Sequence, residues 1–336
     1  ITHEGGVIYQ YTTSSSDSTL LTNVPDYSRF EETDTRKIYT KFPAGWAELG
    51  NVLLSDIGIF GGGVNTGAHS NVMDYITIST TGNATDFGDL TVARRYVAGL
   101  SNGTRGVFGG GNSGVDSNVM DYITIATTGN AIDFGNLTVA RKGSAGISSS
   151  TRGVFGGGNS GGVVNTIDYI TIATTGNSTD FGDLTVSRRG VSGISSSTRG
   201  VFAGGTTGTT SNVMDYITIA TPSNATDFGD LTVVKQYLAG LSSDTRGVFG
   251  GGNSAGYSNV MDYITITTLG NATDFGDLTV ARSYVAGLSN TTRGVFGGGG
   301  SNSNVMDYIT IATTGNATDF GDLSVGRGAL AGVDDS

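Results

Sequence analysis

Carboxylates and guanidinium groups are the side chains of this 336-residue chain that could do chemistry, and both recur at a fixed spacing. Asn83-Ala-Thr-Asp-Phe-Gly-Asp89 and its copies offer carboxylates and carbonyls spaced so that they could hold Ca²⁺. The pattern is not an EF-hand loop, which alternates acidic ligands and ends on a bidentate glutamate. One copy carries Asn136 where others have Asp89, Asp183, Asp230, Asp277 and Asp322. A required ligand would tolerate that change poorly. These Asp and Asn side chains are therefore expected to satisfy turn amides and to pair with the repeated arginines. Neither a metal nor a cofactor is expected.

The arginines form two periodic sets: Arg105, Arg152, Arg199, Arg246 and Arg293, and Arg94, Arg141, Arg188, Lys235, Arg282 and Arg327. A basic ring could hold an anionic sugar. A residue present in every copy most simply meets a need of every copy, so pairing with the equally periodic Asp is the expectation. The Gly-Gly-Gly stretches are followed by neither Lys-Ser/Thr nor a helix, which removes a phosphate loop. With 0 Cys there is no thiol nucleophile, disulfide framework or Cys-ligated zinc. The 2 His, His3 and His69, have no nucleophile and orienting acid at a recognisable spacing. Catalysis is not expected, because one active site needs residues that break the repeat.

The elements that carry these residues follow from the period. The Asp of the Met-Asp-Tyr-like segment stands at 74, 121, 168, 215, 262 and 307, a step of 47 residues with 45 in the last interval. Such a period indicates propellers or solenoids. One unit contains four extended segments, 97–100, 105–111, 118–126 and 131–139, separated by Gly, Asn and Ser clusters. In the third, Met120, Tyr122 and Thr124 share one face and Asp121, Ile123 and Ile125 the other. No helical period appears. Each unit reads as a four-stranded antiparallel sheet, and stacking such sheets radially covers their edges. The pairs Ala98-Gly99, Ala145-Gly146, Ser192-Gly193, Ala239-Gly240, Ala286-Gly287 and Ala331-Gly332 suit the crowded innermost strand.

A Gly-Gly doublet closing the second strand, an aromatic beside Asp in the third (Asp74-Tyr75, Asp121-Tyr122), Phe87, Phe134 and Phe181 in the fourth and Arg94, Arg141 and Arg188 before the next unit resemble a kelch repeat over residues 52–336. Kelch units usually place Tyr before Asp and Trp where these Phe stand. The resemblance implies an all-β, six-bladed kelch-like β-propeller and no particular activity. The sixth innermost strand, 329–333, is at the C-terminus. Either it completes the first blade and closes the ring, or Val52-Leu-Leu54 serves there and the C-terminus caps an open solenoid.

All 4 Glu and the only Trp precede residue 51, which marks residues 1–50 as a separate attachment segment and 51–336 as the propeller. Residues 27–39 and 45–50 resemble the segments that join modules in tail-fibre and other appendage proteins of bacterial viruses. Two short strands are expected there, anchored by Tyr39, Phe42 and Trp46. The net charge of −11 argues against nucleic acid and anionic membrane as partners. No run of 18 apolar residues and no charged-then-apolar leader is seen, so the chain is expected to be soluble and not inserted in a membrane. Its start at Ile1 suggests a piece or processed form of something longer.

Function is then sought where the repeat breaks. Loops between the second and third strands and connections between units share one face, and there His69, Tyr96, Asp116, Tyr237, Tyr257 and Tyr284 are candidate ligand contacts, unless the variation is neutral drift. The resemblances imply a non-enzymatic module of a phage virion, in a tail fibre or on the capsid surface, contacting a host glycan or protein. They also imply other virion proteins as partners and self-association, with a trimer as the guess. Alternatives are a cell-surface or secreted lectin and, less favoured, a propeller glycoside hydrolase.

Overall fold

The computed structural model describes residues 56–335 throughout and, before them, the backbone of strands Thr2–His3, Gly6–Val7, Gln10–Thr13, Arg29–Glu32, Lys37–Phe42 and Gly45–Asn51. The chain divides into two compact units, Ile1–Leu54 and Ser55–Ser336. In the first, the last four of these strands form one sheet in sequence order, parallel in its first pair and antiparallel in the other two. Tyr39 and Phe42 lie on one strand of the final hairpin and Trp46, opposite Lys41, on the other. Their expected anchoring contacts lie outside the described residues.

The second unit is a six-bladed β-propeller of four-stranded antiparallel blades. Blade 2 shows the plan, with strands A (Ala98–Ser101), B (Arg105–Gly109), C (Val119–Thr124) and D (Ile132–Asn136) running from axis to rim. Blades 3 to 6 repeat it over residues 145–183, 192–230, 239–277 and 286–322. Blade 1 takes strands B (Ile57–Gly61), C (Val72–Thr77) and D (Thr85–Asp89) from the start of the unit and strand A (Ala331–Asp334) from its end. Ala331 pairs with Gly61 and Asp334 with Gly58. The C-terminal strand thus occupies the edge that an open solenoid would have left to residues 52–54.

No single core exists. Apolar residues of each blade pack on the next, as Val248, Met261 and Phe275 do against Phe296, Ile309 and Ile311. Both faces of strand C are therefore covered, and the alternation read from the sequence does not separate core from solvent: Met120, Asp121, Ile123 and Ile125 are all buried. Blade spacing depends on small residues. A Cβ at Gly109 would stand 2.8 Å from the Phe155 ring, and one at Gly193 on the axis would stand 2.6 Å from the Gly146 carbonyl.

Each passage from strand D to the next blade reads Leu-Thr-Val-x-Arg or a close variant. Its hydroxyl and its cation both reach one aspartate in strand C of the blade being entered. Thr91 and Arg94 hydrogen-bond to Asp121, while Arg141 forms an ion pair with Asp168 at 2.9 Å and Lys235 with Asp262 at 2.7 Å. Ser324 and Arg327 close the circle on Asp74, the arginine at 2.6 Å. These pairs are buried completely or nearly so. Burial pulls the guanidinium groups of Arg94, Arg141, Arg188 and Arg282 and the ammonium of Lys235 below their ordinary pKa, against the opposing pull of the aspartates.

The repeated acids of the Asp-Phe-Gly-Asp turns are thus not the partners of these arginines. The second arginine set departs from expectation too. Arg105 lies 4.2 Å over the Tyr122 ring and donates to the Ile172 carbonyl of the next blade at 3.0 Å. Aromatic stacking and a carbonyl, rather than an aspartate, hold it. The turn asparagines do satisfy amides, but those of the preceding blade, as Asn130 does for Asp89 N at 3.0 Å.

Removing residues 328–336 should expose the inner edge of blade 1 and cost about 5 kcal/mol from lost pairing and burial, measured as a melting point lower by roughly 10 °C. Asp215→Ala leaves the Arg188 cation buried without its counter-charge and should cost about 3–5 kcal/mol in urea unfolding. Lys235 reaches a single carbonyl, Val260 O, at 3.1 Å, whereas Arg188 reaches both Gly204 O and Val213 O. Lys235→Arg should therefore stabilise the chain by about 1 kcal/mol in the same assay.

Candidate functional site

Two residues beyond each buried cation the chain arrives at the axis, with Tyr96, Gly143, Gly190, Tyr237, Tyr284 and Ala329 in equivalent places. All six have left-handed backbone, with φ of 58°, 66°, 63°, 54°, 60° and 58°. Each N–H donates to the carbonyl of its counterpart one blade back, from Gly143 to Tyr96 at 3.1 Å round to Tyr96 to Ala329 at 2.7 Å. Six hydrogen bonds thus form a closed circuit about the axis.

Glycine adopts this conformation without cost, whereas a tyrosine pays about 1–2 kcal/mol for it. Three tyrosines stand there nonetheless. Their rings converge, with centroids of Tyr237 and Tyr284 4.4 Å apart and that of Tyr96 5.7 Å from each. Glycine is required at 190, since a Cβ there would meet the Tyr237 ring at 2.9 Å. Tyr257, 46% exposed, reaches over Gly300 of the next blade. Burial, with the neighbouring Tyr96 and Tyr237 phenols, pushes the Tyr284 hydroxyl up to about 12. Burial also raises Tyr237, which Arg189 partly offsets. A cavity of about 70 Å³ is lined by these ring residues and their neighbours.

Three of the six residues expected to contact a ligand, Tyr96, Tyr237 and Tyr284, therefore come together, and Tyr257 stands on a loop of the same face. The other two do not join them. Asp116 pairs with Lys142 at 2.9 Å and accepts from Asn112 Nδ2 at 3.0 Å, which stiffens its own loop. His69 sits on a small hairpin of blade 1, opposite Val64. Sequence reasoning passed over Arg95 and Arg189, although the signal was present: Gln236, Ser283 and Gly328 fill the equivalent positions elsewhere.

A larger cavity, about 380 Å³, lies at the opposite end of the axis, inside the A–B turns. Ser101, Ser148, Ser195, Ser242, Ser289 and Asp334 ring it. Their side chains serve the blades themselves. Ser195 Oγ accepts from Ser148 N at 3.3 Å, Ser289 Oγ donates to Ser242 O at 2.8 Å, and Asp334 accepts from Ser289 N at 2.9 Å. His69, on its B–C hairpin, is on the other face of the propeller from these hydroxyls. Among the described residues no group of three or more His, Asp or Glu is placed to hold a metal ion. A comparison with the models of known protein families finds no match, and a comparison with curated proteins finds no similar chain.

The raised phenol gives a pH test. Because the folded hydroxyl ionises above its unfolded value of 10, its contribution to stability is complete below pH 10 and is lost as pH climbs to about 12. Unfolding followed by circular dichroism should show stability falling across that window, less steeply in Tyr284→Phe. Ultraviolet titration of the folded variant should lack the highest phenolate step.

Proposed function

We propose that this chain is a non-enzymatic binding and structural module of a bacterial-virus appendage, a tail fibre or a decoration of the virion surface. In this reading its tyrosine-bearing face contacts a host glycan or protein. The kelch-like residues and the likeness of residues 27–39 and 45–50 to fibre-joining segments support the setting. One observation carries the choice of face: three tyrosines occupy strained backbone at one end of the axis, where glycine would be free of cost. Neutral drift would not hold three bulky residues at such a position or bring their rings together. Tyrosine offers contact area with little entropy to lose, and a rigid ring of backbone presents it. The opposite cavity is larger, but the inner-strand serines and Asp334 that ring it bond between blades.

The first unit is the attachment in this proposal, joining the propeller to other virion proteins and to copies of itself, with a trimer as the state most in keeping with a fibre. Light scattering should then find a multimer for the full chain and a folded monomer for residues 55–336.

For recognition, the test is a glycan array and titration calorimetry with the full chain. Tyr237→Ala and Tyr284→Ala should weaken a retained ligand by about 1–2 kcal/mol while the melting transition persists, since Ala329 shows that the ring accepts alanine. Asn316→Ala removes the acceptor of Asp277 N, 3.0 Å away on the rim, and should change stability without changing affinity. The reverse pattern would move the site to the other face.

A further inference from the structure

The position between each buried cation and the axial ring breaks the repeat in charge. It holds Arg95, Lys142 and Arg189 on entry to blades 2, 3 and 4, then Gln236, Ser283 and Gly328. Half the circumference is cationic. The backbone is fixed at these positions, since Arg95 and Asn112 exchange both main-chain hydrogen bonds, and so do Lys142 with Asn159 and Arg189 with Thr206. Asp116 is the one carboxylate in the B–C loops and D–A connections that build this face. Lys142 already occupies it at 2.9 Å.

Arg95 and Arg189 are left without a carboxylate among the described residues. Both are half-buried, and each has an Nε shielded from water with no hydrogen-bond partner. The Arg95 guanidinium lies 5.1 Å over the Tyr96 ring, and Arg189 is near enough to Tyr237 to act on its phenol. A guanidinium nitrogen shielded from water with no acceptor is unfavourable, and a planar carboxylate matches the group's fork of donors. Both stand beside half-buried tyrosine rings in a chain of net charge −11, and neither has the carbonyl of the next blade to which Arg105 and its counterparts donate.

We propose that the tyrosine end of the axis is a site for carboxylated saccharides, with Arg95 and Arg189 receiving the carboxylate and Tyr96, Tyr237, Tyr257 and Tyr284 supplying aromatic surface to the sugar ring. This rests on the preceding assignment of the binding face and adds the chemical class of the ligand. A neutral glycan would leave both guanidinium groups unanswered. A sulfated one also presents two oxygens to a guanidinium fork, so it is compared directly with the carboxylated ones.

The experiment presents the full chain with sialylated, glucuronate-containing and galacturonate-containing oligosaccharides, their carboxyl-reduced forms and sulfated neutral glycans. At least one carboxylated glycan should be retained, with affinity tenfold or more above its reduced form and falling as salt rises. Arg95→Gln and Arg189→Gln should each reduce that affinity about tenfold, and Gln236 at the equivalent place shows that the fold accepts the change. Retention of no carboxylated glycan, equal affinity for the reduced forms, preference for sulfate, or undiminished binding by both variants would overturn the proposal. A neutral glycan that binds and is lost in Tyr237→Ala would do so while leaving the assignment of the face intact.

Discussion

A fully buried aspartate in the third strand of every blade sets the terms on which the propeller assembles. A carboxylate removed from water must be answered, and nothing in its own blade answers it. The answer arrives along the chain from the preceding blade, as a hydroxyl and a cation on one short strap. Folding each blade therefore requires its predecessor to be in position. That requirement, repeated until Arg327 and Ser324 reach Asp74, makes the ring one cooperative object rather than a row of sheets.

The same strap determines what happens at the axis. Once the cation is fixed, the chain has two residues in which to reach the next inner strand, and it does so through a left-handed residue. Six such residues can bond only to one another. The site is a by-product of this geometry: the scaffold needs the left-handed turn, and three of the six turns carry a tyrosine in place of a small residue. At the other end of the axis, the inner strands splay into a serine-lined funnel whose hydroxyls hold neighbouring blades together. One end of the axis is thus committed to structure and the other carries groups that structure does not need.

Much of this was legible in the residues. The 47-residue step, the turn clusters and the small residues of the inner strand led to the six-bladed architecture, and the displaced C-terminal strand pointed to its closure, because strand pairing is a local pattern repeated six times. What spacing does not contain is which of two equally periodic acids meets which of two equally periodic cations. Asp121 and Asp133 are both once per blade, and only the strap's path selects the former for Arg94. Alternation failed in strand C for a related reason, since Asp121 faces a neighbouring blade that no single unit reveals. The tyrosines could be noticed as departures from the repeat, but that Tyr96, Tyr237 and Tyr284, 141 and 47 residues apart, share one point is a property of the closed ring. Arg95 and Arg189 were hidden beside the structural Arg94 and Arg188, because an Arg-Arg pair reads as one feature until burial separates its halves.

The axial circuit bears on how a gene of near-identical units keeps its length. Unequal recombination between such repeats readily adds or drops a copy, and each interface would accept the newcomer, since every blade meets its neighbours through the same bonds. The circuit would not. Three rings packed over three small residues match an opening of one diameter, so a seven-unit product would leave a hole at its centre and a five-unit product would crush the rings together. A change in copy number that the interfaces between blades would let pass would therefore rebuild the tyrosine end of the axis and the face it presents.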